Sequence, residues 1–224
     1  IPLLLAMRKR GVRVDINRAE EVGELLKKEE VKAQKQLDKY AGFGVNVNAA
    51  SDIVKLCDKI GLQYLKTAKG NPSFKGEWLE THPHEAMQLI KQVRKVYKAK
   101  STFIDGYILG HNIDGRIHAS FNPLKSDSGG TVSGRFSSSN PNLQNIPARD
   151  EVLAPLIRSI FIPEDGHQWR RHDYSQIEYR FLAHYAIGEG ADDMRRKYNE
   201  NPKTDYHEET QNLVYQITNV MLER

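Results

Sequence analysis

Only one cysteine, Cys57, occurs in the 224 residues, so an intrachain disulfide is excluded and a reducing compartment is the expectation. The thiol sits among Ile53, Val54, Leu56 and Ile60 at helical spacing, which predicts a buried structural side chain and not a nucleophile. Long apolar runs are missing too. The longest, Leu3 to Met7, is far short of a bilayer span and lacks the layout of a signal peptide. No internal repeat is visible. Charge of one sign is in only slight excess, 33 Lys and Arg against 29 Asp and Glu, for a net charge of +4 and a pI near 9.0. That balance favours a polyanionic partner without requiring one. Apolar content of 39% and charged content of 28% fit a folded globular chain, long enough for one large domain or two small ones.

Three stretches differ in character. Residues 1 to about 110 read as mostly helical. Val22, Leu25, Leu26, Ala33, Leu37 and Tyr40 form one stripe of a charged helix over Ala19 to Tyr40, which Gly42 and Gly44 end. A second helix is expected over Ser51 to Ile60, with Ser51 as N-cap and Gly61 just past the end. A third spans His84 to Lys100, with Ala86, Leu89, Ile90, Val93 and Tyr97 on one face. Lys91, Arg94, Lys95, Lys98 and Lys100 make a basic run there, read either as a solvated face or as a grip on phosphates.

The middle stretch, His111 to Asp150, is rich in Gly, Ser, Asn and Pro. An Asp114-Gly115 turn leads into Arg116 to Phe121, which alternates like a short strand. Ser126 to Pro147 has almost no periodicity, and such a long loop within a compact chain is usually functional or disordered. In the last stretch, Leu156 to Ile162 and Gln168 to Asp173 read as strands joined by a turn at Pro163 to Gly166, and a helix is expected from about Ser175 through Tyr185. Val214 to Arg224 reads as a helix still in progress, so truncation is expected.

The segment Asp173-Tyr174-Ser175-Gln176-Ile177-Glu178-Tyr179-Arg180 carries the most chemistry. A carboxylate at the end of a strand can offer oxygen to a hard cation that shares its other ligands with phosphates. The same aspartate could instead cap the following helix. The segment resembles motif A of family A DNA polymerases, Asp-Tyr-Ser-Gln-Ile-Glu-Leu-Arg, departing at Tyr179. Upstream, Ser133-Gly134-Arg135-Phe136-Ser137-Ser138-Ser139-Asn140-Pro141-Asn142-Leu143-Gln144-Asn145-Ile146-Pro147 is similar to the family block Thr-Gly-Arg-Leu-Ser-Ser-x-Asp-Pro-Asn-Leu-Gln-Asn-Ile-Pro. Weaker similarities lie at Lys100-Ser101-Thr102, Gly115 to His118, Arg149 and Asp205-Tyr206-His207, the last against a family Asp-Ile-His.

The resemblance implies an α+β fold, with a helical thumb at 1–110 and part of a palm with a small, mainly antiparallel sheet at 111–224. It implies a DNA-directed DNA polymerase that extends primer-template DNA with deoxynucleoside triphosphates, using two Mg²⁺ ions in the complete enzyme. Asp173 would bridge the ions, with the Tyr174 backbone carbonyl as a further ligand. Glu178 would crowd the sugar 2′ position, and Gln176, Ile177, Arg149 and His207 would lie near the incoming nucleotide. Lys100, Ser101, Thr102, Arg116, Ser133, Arg135, Ser137, Ser138, Asn142, Gln144, Asn145 and Arg180 would contact DNA without reading its sequence. The implied setting is the cytoplasm, or a host's cytoplasm for a viral protein, with no membrane partner and no processivity factor specified.

The departures matter as well. Asn140 removes a charge beside the DNA, and Arg170, Arg171 and His172 stand where the family has an apolar strand, at a burial cost unless exposed or paired. The family's fingers helix and its later His-Asp hairpin are not found after Arg180, so the 224 residues alone are not expected to extend a primer. A non-catalytic DNA-binding clamp, a nuclease built on Asp173 and Glu178, and a single-subunit RNA polymerase are the competing readings. Glu178 at the sugar gate speaks against the last.

Overall fold

The computed structural model of the chain describes residues 2–126 and 129–222, with side chains as far as residue 218. It divides into two compact units, Ile1–Gln168 and Trp169–Arg224. Helices with small antiparallel sheets make it α+β, as expected.

In the first unit the helix Ile16–Ala41 is a spine shared by two cores. Asp15 caps it by accepting from the Arg18 N–H at 2.9 Å, and Gly42 ends it in the left-handed region at φ 73°. Its C-terminal half supplies Ala33, Leu37 and Ala41 to a core with Ile53, Leu56, Met87 and Ile90. Its N-terminal half supplies Ala19, Val22 and Leu26 to a second core with Ile104, Ile108, Ile117 and Ile157. Of the stripe read from the sequence, Val22, Leu26, Ala33 and Leu37 are buried while Leu25 and Tyr40 are exposed, and one helix ties two clusters into one unit.

Cys57 lies fully buried in the first of these cores, and burial pushes its thiol up to about 11. A thiol reagent is expected to leave Cys57 unmodified in native buffer at pH 8 and to label it stoichiometrically in denaturant. Fast native labelling would contradict the packing.

The helix Glu85–Lys98 is capped by the His84 ring, which accepts from the Ala86 N–H at 3.2 Å. It continues without a break into wider turns over Ala99–Leu109, where the Gly110 N–H reaches the Asp105 carbonyl at 2.8 Å. Asn112–Ile113 and Arg116–Ile117 then form a hairpin around Asp114 and Gly115, both at positive φ (49° and 76°). Val12–Arg13 completes this antiparallel sheet by pairing with Arg116–Ile117. Residue 110, the expected thumb boundary, thus lies inside the first unit.

Three sequence expectations are corrected. The second helix runs Ala50–Ile60 from a cap position at Ala49, which has no side-chain hydrogen bond, so Ser51 lies inside the helix. The carboxylate beside it, Asp52, reaches back to the Asn46 N–H at 3.1 Å and shapes the entry instead. Leu156 to Ile162 is not a strand, because Leu153–Arg158 is helical. Asp150 accepts from the Val152 and Leu153 N–H groups at 3.1 and 2.8 Å. Pro155 falls in the first turn, where its missing N–H costs nothing. Only Phe161 bridges to Val14. Gln168 to Asp173 forms no strand either, and all of it is exposed. Its arginines and histidine stay in water, where their desolvation penalty is avoided.

In the second unit the helices Ile177–Tyr185, Glu189–Glu200 and Tyr206–Leu222 gather around Ala183, Tyr198 and Tyr206.

Candidate nucleotide and nucleic-acid site

The Ser-Asn-Gln stretch is an organised loop and not a linker. Ser137–Ser139 pairs with Ser120–Asn122 as an antiparallel ribbon, and strand alternation then sorts the serines. Ser137 and Ser139 both accept from the Asn122 amide, at 3.4 and 3.2 Å, and Ser137 also accepts from the Gly130 N–H at 3.1 Å. Ser138 points the other way and is buried; it donates to the Pro141 carbonyl at 3.1 Å and accepts from the Leu143 N–H at 3.3 Å. Asn142 accepts from the Gln144 N–H at 3.1 Å, starting the short turn Leu143–Asn145. The Gln144 side chain donates to the Phe136 carbonyl at 3.1 Å. Of the residues assigned to DNA, Ser137, Ser138 and Asn142 therefore hold the loop in shape. Ser133, Arg135, Gln144 and Asn145 are the exposed ones, and Arg149, assigned to the nucleotide, is exposed too.

The basic run divides in the same way. Arg94 donates to the carbonyls of Val47 at 2.8 Å and Phe74 at 2.7 Å, and desolvation lowers its pKa. It is a clasp between segments. Lys95 pairs with Asp150 at 2.5 Å and Lys100 with Asp105 at 2.6 Å. Lys91 and Lys98 have no carboxylate partner among the described residues. Next to Lys100, the Ser101 hydroxyl donates to the Tyr97 carbonyl at 2.8 Å, and Thr102 is half-buried. Arg116 donates to Glu164 at 2.8 Å, which holds the Glu164 carboxyl below its ordinary value. Neither Asp150 nor Glu164 could be found from sequence, because each lies far along the chain from its partner.

In the second unit Asp173 is exposed, with a loose ion pair to Arg171 at 3.9 Å as its one charged partner among the described residues. It does not cap the following helix. Gln176 holds the cap position at φ 52°. Its amide oxygen accepts from the Tyr198 hydroxyl and the Tyr206 N–H, both at 3.0 Å. Arg180 donates to the Ser175 carbonyl at 2.8 Å and the Pro202 carbonyl at 2.5 Å, with its guanidinium 4.5 Å from the Tyr198 ring centroid. Gln176 and Arg180, expected to touch nucleotide or DNA, thus brace the three helices. Ile177 is half-buried, Glu178 is exposed on the first turn, and His207 is exposed on the first turn of its own helix. Asp205, not singled out from sequence, accepts from the His207 N–H at 2.9 Å.

The Asp173 carboxylate and the Tyr174 carbonyl are hard oxygen donors of the kind magnesium prefers, leaving water and phosphate to complete its shell. No cluster of three His, Cys, Asp or Glu side chains occurs among the described residues. The oxygen chemistry of these two residues fits a share of a magnesium site. No helix among the described residues is long and apolar enough to cross a membrane.

Two of the departures from the polymerase pattern, Tyr179 and Tyr206, touch. Their rings stack with centroids 6.0 Å apart. The Tyr206 hydroxyl is buried and has no hydrogen-bond partner among the described residues. Tyr206→Phe is therefore expected to raise stability by about 1 kcal/mol in urea unfolding, because it removes an unsatisfied polar group. A loss of that size would show that the hydroxyl has a partner.

One unit carries a self-braced polar loop and the other an exposed carboxylate at Asp173. DNA polymerase family A matches residues 16–223, and the chain belongs to that family. It is 36% identical over 224 residues to the DNA polymerase DpoZ of Acinetobacter phage SH-Ab 15497, covering 92% of this chain and 35% of that protein. It is also 36% identical over 214 residues to the thermostable DNA polymerase I of Thermus filiformis, covering 93% of this chain and 24% of that one. Among solved structures it is similar to the POL domain of Pol1 from M. smegmatis in complex with DNA primer-template and dNTP. That similarity has a TM-score of 0.68 at 28% identity, over 81% of this chain and 32% of that one. The chain thus spans about a third or less of the relatives' length.

Proposed function

We propose that this chain forms the thumb, residues 1–110, and part of the palm, residues 111–224, of a DNA polymerase that adds deoxynucleotides to a primer 3′ end. The observation carrying this reading is Asp173, an exposed carboxylate within the motif A segment that caps no helix. Asp173 and the Tyr174 carbonyl would hold magnesium in the complete enzyme. Bound magnesium supplies charge neutralisation for the primer hydroxyl and the leaving pyrophosphate. Arg135, Gln144 and Asn145, all exposed on the loop, face minor-groove acceptors that are similar for every base pair. Arg149 and His207, each exposed in its own unit, would contact the triphosphate. The setting is the cytoplasm of a cell or of a phage host.

The exposed Glu178 side chain fills the space a ribose 2′-hydroxyl would need. Glu178→Ala in the polymerase carrying this sequence is expected to lower the preference for deoxynucleotides over ribonucleotides by about tenfold or more. Unchanged discrimination would leave Glu178 as a helix-surface acid.

Binding of a labelled primer-template by the 224-residue chain, followed over a salt series, tests the whole reading. Affinity is expected to fall steeply with salt as phosphate contacts release counterions. With Asp173 the one carboxylate assigned to the metal, and no cluster of three metal-ligating side chains among the described residues, the same chain is expected not to extend the primer. Binding indifferent to salt, or no binding at all, would contradict the assignment, and extension by the isolated chain would contradict the division of labour within it. The clamp alternative shares the binding surface but gives Asp173 no task.

A further inference from the structure

We propose that Tyr179, with Tyr206 behind it, is a positioning residue that sets the orientation of His207 toward the incoming triphosphate. This rests on the reading of His207 given above and adds to it what holds the imidazole.

His207 stands on the exposed first turn of the helix Tyr206–Leu222. Its backbone N–H is held by Asp205 at 2.9 Å, which fixes the main chain but not the ring. Among the described residues neither ring nitrogen is hydrogen-bonded. What touches the ring is Tyr179, edge-on, with centroids 4.7 Å apart and planes at 87°. This is the arrangement the aromatic quadrupole favours. The other neighbour of Tyr179 is Tyr206, near-parallel at 26° and 6.0 Å. Tyr206 is itself fixed from two further sides. Its ring packs on Tyr198 at 5.0 Å, and its N–H donates to the Gln176 amide oxygen at 3.0 Å. The imidazole is therefore the last member of a chain of contacts that begins in the core of the second unit.

Among the departures from the polymerase pattern, the one in motif A and the one beside the histidine stack on each other. An apolar pair of leucine and isoleucine could fill the space but could not offer a ring to His207. With Tyr179 in place, the imidazole is limited to few rotamers. A donor held in its bound geometry loses less entropy on meeting a phosphate, and that gain appears in nucleotide affinity before it appears in turnover.

The test is a double-mutant cycle in the full-length polymerase that carries this sequence, reading KM and kcat for a deoxynucleoside triphosphate on a fixed primer-template. Tyr179→Leu is expected to raise KM about fivefold with kcat changed less than twofold. His207→Ala should raise KM at least as much, and the double variant no more than His207→Ala alone. Tyr179→Phe keeps the ring and should match wild type. As an independent readout, the His207 ring-proton resonances of the 224-residue chain should shift in Tyr179→Leu and stay in Tyr179→Phe. If His207→Ala raises KM while Tyr179→Leu does not, or if the two effects multiply, the positioning role is overturned and the reading of His207 survives. If His207→Ala leaves KM unchanged, the triphosphate reading of His207 fails and the inference falls with it.

Discussion

Replacing Asp173 by asparagine in the polymerase carrying this sequence is expected to slow primer extension by about a thousandfold or more, roughly 4 kcal/mol in the barrier. The variant keeps the shape of the side chain and removes its charge. A neutral amide is a poor ligand for a hard divalent cation, so the metal-dependent part of the rate is lost. Stability should stay within about 0.5 kcal/mol of wild type, because the side chain is 80% exposed and its ion pair to Arg171 is long. Primer-template affinity should be kept as well, since Asp173 adds no positive charge to the phosphate grip. The substitution also separates the two meanings an aspartate can have at such a place. Asparagine caps a helix as well as aspartate does, so a capping role would leave every readout unchanged.

The second large effect concerns Arg94, and it is an effect on folding. Arg94→Ala is expected to lower stability by about 2–4 kcal/mol, because it breaks charge-assisted bonds to two part-buried carbonyls, Val47 and Phe74, and strands their acceptors. The lost packing of its aliphatic stem adds to the cost. Where the variant still folds, the salt dependence of DNA binding should match that of wild type. Lys91→Ala with Lys98→Ala should do the reverse. Stability is then unchanged, affinity falls for every DNA sequence, and the slope of log affinity against log salt decreases by about one per lysine. Chemical unfolding and binding isotherms on the same three proteins decide the matter. A reduced salt slope for Arg94→Ala at normal stability would return Arg94 to the DNA surface.

The contrast between Arg94 and its neighbours shows what the sequence could reveal and what it could not. The Val22 to Leu37 stripe, the Gly42 and Gly61 stops and the Asp114-Gly115 hairpin are local signals, and each appears in the structure where residue chemistry places it. The motif around Asp173 was legible because its meaning lies in a contiguous run of residue types. Arg94 was read as one cation among five, since nothing local shows that its guanidinium is drawn between segments 47 and 20 positions away. Ser138 looked like its flanking serines until strand alternation turned it inward. Leu156 to Ile162 had the apolar density of a strand, but the Asp150 cap upstream decided for helix. The contact between Tyr179 and Tyr206 could not have been anticipated from either departure alone, because 26 intervening residues hide that the two positions share a core.

The most direct test of the central claim is where the metal sits in the working complex. Ferrous iron can replace magnesium in the polymerase bound to primer-template and a deoxynucleoside triphosphate, and peroxide then cuts the backbone next to the ion. Cleavage is expected at Asp173 and Tyr174, and Asp173→Asn should abolish it. Cleavage at other positions that survives Asp173→Asn would contradict the account.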